Sequence, residues 1–158
     1  MPFIHLTTFI AAPVERVFDL SRSIELHKHS MKKFELRPVA GRISGLMESG
    51  DTITWNSKHF KKKRVQIIKV VALEKPSVYI EEQRIGDLKV MKHEHYFKPC
   101  NNGSLMIDQL TFESRDSFLG RLFNNLYFTN YMNNLLEERN SIIKQVAESN
   151  RWKHFLIV

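Results

Sequence analysis

The sequence predicts an α+β domain in which a curved antiparallel sheet of seven strands wraps around a long C-terminal helix, with two short helices after the first strand. Three observations predict it. Segments of alternating or β-branched residues, broken by short turns, fill the chain from Phe34 to about Arg115. Strands joined by short turns pair antiparallel, because parallel pairing needs a long crossover. Apolar residues at three- and four-residue spacing then run from about Phe118 to Trp152, the mark of an amphipathic helix. Finally, 158 residues are the size of one domain, one that buries roughly 70% of its unfolded surface.

The elements follow in order. Phe3 to Ile10 alternates, with Ile4, Leu6, Thr8 and Ile10 on one face. Ala12-Pro13 stops this strand, and proline suits a helix start, where its missing N–H costs nothing. Val14, Val17 and Phe18 then recur at helical spacing, and a second helix runs from Arg22 to about Met31 with Ile24, Leu26 and His27 inward. Strands are expected over Phe34 to Val39, Asp51 to Phe60, Arg64 to Ala72, Val78 to Ile85, Lys89 to Lys98 and Leu105 to Phe112. Gly41, Gly45, Gly50-Asp51, Pro76 and Asn101-Asn102-Gly103 punctuate them, and Gly86-Asp87 is a tight hairpin signal. The terminal helix carries a stripe that includes Leu122, Phe123, Leu126, Tyr127, Leu135, Leu136, Ile142, Ile143 and Val146. It is the only element long enough to cover the sheet's concave face, and a helix laid there closes a groove into a pocket.

Composition narrows the class further. Lys and Arg number 24 against 17 Asp and Glu, a formal charge of +7, while 42% of residues are apolar and 11% aromatic. That apolar content excludes intrinsic disorder. No Pro-, Gly- or Ser-rich linker and no repeat divides the chain, so residues 1–158 read as a single domain. One cysteine, Cys100, excludes an internal disulfide, and a cytoplasmic location is expected. No apolar run approaches the ~20 residues of a membrane span, so no integral membrane association is expected. Met1 to His5 lacks a signal-peptide pattern, and Phe155 to Val158 reads as a docked tail.

The residues that carry chemistry are few. There is no G-x-S-x-G, no Gly-rich phosphate loop, and Cys100 beside Pro99 has no local base. The sharpest feature is the pair His93 and His95, which strand alternation places on one face with Met91 and Phe97, away from Lys92 and Glu94. Two such imidazoles need further ligands to hold a metal; His59, Asp108 or Glu25 could join them, but no Cys cluster or H-E-x-x-H is present. The expectation is inward imidazoles held neutral by burial, anchoring a polar group of a ligand, with neither metal nor other cofactor. Asp108 is a candidate partner, although alternation alone leaves its face undecided. Glu25-Leu26-His27-Lys28-His29 reads either as a surface pair or as a helix placing Glu25 or His27 over a pocket mouth. The basic run Lys58 to Arg64 reads as a solvated hairpin or as a polyanion or membrane-surface contact. It lacks any nucleic-acid motif, so no nucleic acid is expected as a partner.

Ala12-Pro13-Val14-Glu15-Arg16-Val17-Phe18-Asp19 is similar to the Ala-Pro-x-x-x-Val-Phe segment of the START/Bet v 1-like (SRPBCC) superfamily. Ile24-Glu25-Leu26-His27, Gly41 through Gly50-Asp51, and His93-Glu94-His95-Tyr96-Phe97 followed by Asp108 resemble small single-domain bacterial SRPBCC proteins. The resemblance spans about residues 3 to 150 and implies the helix-grip fold. It implies binding of a small lipophilic or aromatic molecule between sheet and helix, or cyclase/aromatase-like chemistry with pocket histidines. The Rieske-type oxygenases of the superfamily are excluded, since one cysteine cannot supply their iron–sulfur ligands. The residues expected to line the pocket are Trp55, His59, Met91, His93, His95, Phe97, Phe123 and Tyr127. No catalytic residue is assigned.

Overall fold

The computed structural model describes residues 2–59, 61–114 and 125–156. Strand β1 (Phe3–Ile10) leads into helices α1 (Val14–Ser21) and α2 (Ile24–Ser30). Pro13, in extended conformation at φ −60° and ψ 145°, precedes α1. Ser23 caps α2, its hydroxyl accepting the Leu26 amide at 3.2 Å, which satisfies one of the helix's free donors. The remaining strands are β2 (Arg37–Gly41), β3 (Thr52–His59), β4 (Lys62–Glu74), β5 (Val78–Ile85), β6 (Leu88–Cys100) and β7 (Gly103–Ser114). They are followed by α3 (Asn125–Ala147) and a short α4 (Lys153–Leu156).

All seven strands form one antiparallel sheet in the order β1-β7-β6-β5-β4-β3-β2. Strands β2 to β7 pair as a meander, and β1 joins the far edge beside β7. Helix α3 packs against β1, α1 and α2 and reaches β7, where the Asn140 side-chain amide donates to Asp108 Oδ2 at 2.7 Å. The sheet, the covering helix and the two short helices after β1 agree with the sequence reading. Among the described residues, no helix is long and apolar enough to cross a membrane.

Several boundaries differ. The strand expected from Phe34 begins at Arg37, because a 3-10 turn (Lys32–Phe34) and a left-handed Glu35 (φ 53°) come first. That turn stacks the Phe34 ring on His59, centroids 4.2 Å apart. Strand β4 extends beyond Arg64 and Ala72 at its two ends, to Lys62 and Glu74, and β6 runs past Lys98 to Cys100. The helix expected to end at Trp152 stops at Ala147. The Ser149 hydroxyl accepts the Arg151 amide at 3.2 Å and starts a 3-10 turn, Asn150–Trp152, which turns the tail back. The Arg16 guanidinium then covers the Trp152 ring at 4.3 Å, and Phe155 and Leu156 pack on the core, as a docked tail does. The expected helix start at Phe118 lies outside the described residues.

The main core joins Val17, Phe18, Ile24 and Leu26 of the short helices to Ile53, Trp55, Ile68, Val70, Phe97 and Met106 of the sheet, closed by Ile143 and Val146 of α3. Each such side chain contributes about 1.5–3 kcal/mol on burial. A second cluster, Ile4, Leu110, Phe112 and Leu136, fills the β1–β7 side, with Met91 packed against both.

Candidate functional site

Between these two cores the sheet, α2 and α3 enclose a cavity of about 900 Å³. Its walls are mainly apolar: Ile53, Trp55, Ile68, Met91, Leu110 and Leu136 are among the lining residues. Polar groups gather at two places. Glu81, His93, Arg139 and His27 form an inner group, while Lys62, Arg64 and Asp87 stand near the exposed Val65 and Tyr127.

The inner group is built by sheet register. Glu81 of β5 lies directly across from His93 of β6, and His95 lies directly across from Asp108 of β7. All four side chains therefore point to the concave face, which settles the orientation of Asp108. Asp108 Oδ1 bonds His93 Nε2 at 2.8 Å and lies 2.9 Å from His95 Nδ1. The second contact lacks the alignment of a hydrogen bond, so its attraction is electrostatic. On the opposite side of the two rings, Glu81 Oε1 is 3.6 Å from His95 Nε2 and 4.0 Å from His93 Nδ1. These donor atoms of Glu81, His93 and His95 all fall within 4.8 Å of one another, a set capable of holding a metal.

Neighbours hold this arrangement. Tyr79 donates its hydroxyl to Glu81 Oε2 at 2.6 Å and stacks on His95 with centroids 4.9 Å apart. Helix α3 brings Asn140 onto Asp108 and places Arg139 Nη1 3.9 Å from the same carboxylate. Arg139 is itself tied to Asn140 Oδ1 at 3.1 Å and to the Ser21 carbonyl at 3.1 Å. His95 and Asp108 are 0% exposed, and charges this deep persist only when paired.

The electrostatics follow from that burial. Burial opposes ionisation of Asp108, but the imidazoles outweigh it and hold the carboxyl well below its usual range. Burial likewise opposes ionisation of Glu81, and His95, His93 and Tyr79 again outweigh it. Burial would lower His95, yet the Asp108 and Glu81 carboxylates raise it above an ordinary histidine. His93 behaves oppositely: burial and the neighbouring His95 charge lower it to about 4, against the pull of Asp108. The expectation that burial keeps both imidazoles neutral fits His93, whereas at His95 two flanking carboxylates act against burial. The His27 ring, edge-on to Trp55 at 5.2 Å, is lowered to about 4 by burial and by Arg139.

Of the residues expected to line a pocket, Trp55, His59, Met91, His93 and Tyr127 do so. His59 Nδ1 also meets the Tyr131 hydroxyl at 3.0 Å. His95 and Phe97 are inward but lie behind the wall rather than in it. His95 is covered by Tyr79, and Phe97 packs edge-on against Phe18 at 5.2 Å. Phe123 lies outside the described residues. His27 borders the cavity, whereas Glu25 turns away and accepts the Gly45 amide at 3.0 Å. Periodicity missed Glu81, Arg139 and Asn140, because a charged or amide side chain on an inward face lowers the apolar signal there. Only the strand register reveals Glu81 as the partner of His93. Of the basic run, Lys58 and His59 end β3 and Lys62 to Arg64 begin β4, with Arg64 paired to Asp87 at 3.2 Å and Lys58 to Glu35 at 3.8 Å.

No protein-family model and no curated protein matches the sequence. Solved structures do match. TTHA0849 from Thermus thermophilus superposes with a TM-score of 0.71 at 22% identity, covering 94% of this chain and 100% of that one. Ara h 8.0201 gives 0.66 at 12% identity, covering 92% and 97%. The major latex-like protein 151 of Panax ginseng gives 0.64 at 11% identity, covering 94% and 98%. The chain has the helix-grip fold of the START/Bet v 1-like superfamily.

Proposed function

We propose that this protein binds a small lipophilic or aromatic molecule non-covalently in the cavity between the sheet and α3. The observation that carries the reading is one cavity of about 900 Å³, mainly apolar, with a few convergent polar groups at its inner end. Apolar walls supply affinity, and such polar groups fix orientation. His93, Glu81 and Arg139 offer donors and acceptors side by side, which suits a ligand hydroxyl, carbonyl or carboxylate entering polar end first. The cavity volume lies at the upper end of the range for drug-sized ligands, roughly 300–1,000 Å³. The single exposed Cys100 accords with a cytoplasmic setting.

Native mass spectrometry of the purified protein tests this reading. A co-purifying organic molecule of defined mass, or a 1:1 adduct with an added uncharged aromatic, is the expected result. Adducts that form equally on a protein whose cavity has been filled by a larger side chain would refute it.

One observation favours a second reading, acid–base catalysis of the cyclase or aromatase kind. His93 is at the cavity wall and bonded to a buried carboxylate, the arrangement that orients a general base. In that case His93→Ala abolishes turnover of a polyketide-like substrate while binding survives. Under the binding reading, the same substitution changes affinity alone.

A further inference from the structure

We propose that Glu81, His93 and His95 form a binding site for one divalent transition-metal ion at the inner side of the cavity, with Asp108 orienting both imidazoles. The proposal departs from the expectation of no metal, for which the sequence offered only His59, Asp108 or Glu25 as further ligands and no Cys cluster or H-E-x-x-H. The sheet register supplies a third ligand, since Glu81 faces His93 across β5 and β6.

The geometry of the inner and outer atoms carries the inference. Each imidazole has one nitrogen toward Asp108, at 2.8 Å for His93 Nε2 and 2.9 Å for His95 Nδ1. Each has its other nitrogen toward Glu81 Oε1, at 4.0 Å and 3.6 Å. A histidine that ligates a metal characteristically donates its second N–H to a carboxylate, which fixes ring and tautomer. Here one buried carboxylate serves two rings, and Tyr79 holds the remaining oxygen of Glu81.

Two further observations agree. Ligands around an ion at 2.0–2.2 Å stand about 3.0–3.5 Å apart, and the three donor atoms already lie within 4.8 Å of one another, so contraction of at most about 1.3–1.8 Å would close this triad, within reach of side-chain rotations. Neither ring nitrogen of the buried His95 has an aligned hydrogen-bond partner among the described residues. Such orphaned buried groups are uncommon and call for a cause; coordination through Nε2, drawing Nδ1–H into line with Asp108, supplies one. Two imidazoles and one carboxylate suit zinc or iron(II) rather than magnesium or calcium, which prefer oxygen. Three protein ligands leave positions open, and because Glu81 and His93 line the cavity, those positions face whatever occupies it. Metal binding itself needs no cavity ligand, so it can fail while the cavity reading stands, and the reverse.

Titration of untagged protein with zinc, followed by calorimetry, and with cobalt(II), followed by visible absorption, tests the site. The expected result is one equivalent bound with a Kd of about 10 μM or tighter. Glu81→Gln should weaken this at least about tenfold, and Asp108→Asn by about 10–100-fold through the imidazoles it orients. No binding in that range overturns the proposal. So does a stoichiometric site unaffected by Glu81→Gln, since the ion would then belong to exposed histidines such as His5 or His154. Should Glu81→Gln fail to fold by circular dichroism, X-ray absorption on the wild-type zinc complex decides. A shell with two imidazole nitrogens and carboxylate oxygen supports the site, and one with a different imidazole count overturns it.

Discussion

Asp108 is the residue on which most of the buried polar network converges. It accepts from His93 and Asn140, lies against His95 and balances Arg139. Removing one partner from a buried ionic group costs about 3–5 kcal/mol, because the remaining charges stay desolvated. Asp108→Asn should therefore destabilise the protein by that amount, measured by urea unfolding. A loss under about 1 kcal/mol would show that the carboxylate is not the hub. His27 gives a separate test by pH. Its folded pKa, about 4, lies below the ordinary value near 6.5, so the unfolded chain binds more protons between the two. Stability from this group is complete above about pH 6.5 and is lost as the pH falls toward 4. Full desolvation would make this about 3 kcal/mol, and the ring's partial exposure reduces it to about 1–2. In His27→Gln the stability profile should be flatter across that window by the same amount. An unchanged profile would remove His27 as the cause.

At the scale of elements, the strands were the most legible part of the sequence and α3 the least. Strand alternation has a period of two, so a single inward polar residue such as His93 or His95 is placed by its neighbours on either side. Helix α3 is different. Its buried residues are Leu136, Arg139, Asn140, Ile143, Val146 and Ala147, so two of these six are polar and vanish from an apolar stripe. Leu126, which the stripe includes, is 64% exposed. Cross-strand partnerships such as Glu81 with His93 depend on register, which turns and bulges set, and no local pattern reports them. The turn glycines were visible, but their unequal importance was not. Gly41 ends β2 at φ +76°, where an added Cβ would fall 2.2 Å from the Thr52 carbonyl oxygen of β3. Gly45 has a similar φ of +83° with open space around it. Gly45→Ala should thus cost only the left-handed backbone penalty, about 1–2 kcal/mol, and Gly41→Ala clearly more, since β2 must shift. Equal losses in thermal unfolding would contradict the register of this edge.

Across the whole molecule, a helix laid on a curved sheet leaves a space too large for side chains to fill, and the chain keeps it mainly apolar with polar groups at two places. The overall architecture was legible because element order and turn spacing leave few alternatives, while the cavity's interior chemistry emerges only when distant segments meet. The basic start of β4 borders this space through Lys62 and Arg64, which makes charge a rival source of affinity. An uncharged probe separates the two. The direct test of cavity binding is therefore a fluorescence titration with N-phenyl-1-naphthylamine on wild type and Met132→Trp, a substitution on α3 at the cavity wall. Saturable 1:1 binding, little changed by salt and weakened at least about tenfold in Met132→Trp, is predicted, since a filled cavity loses the contacts that apolar burial supplies. Absence of saturable binding, or equal affinity in a folded Met132→Trp, would contradict the account.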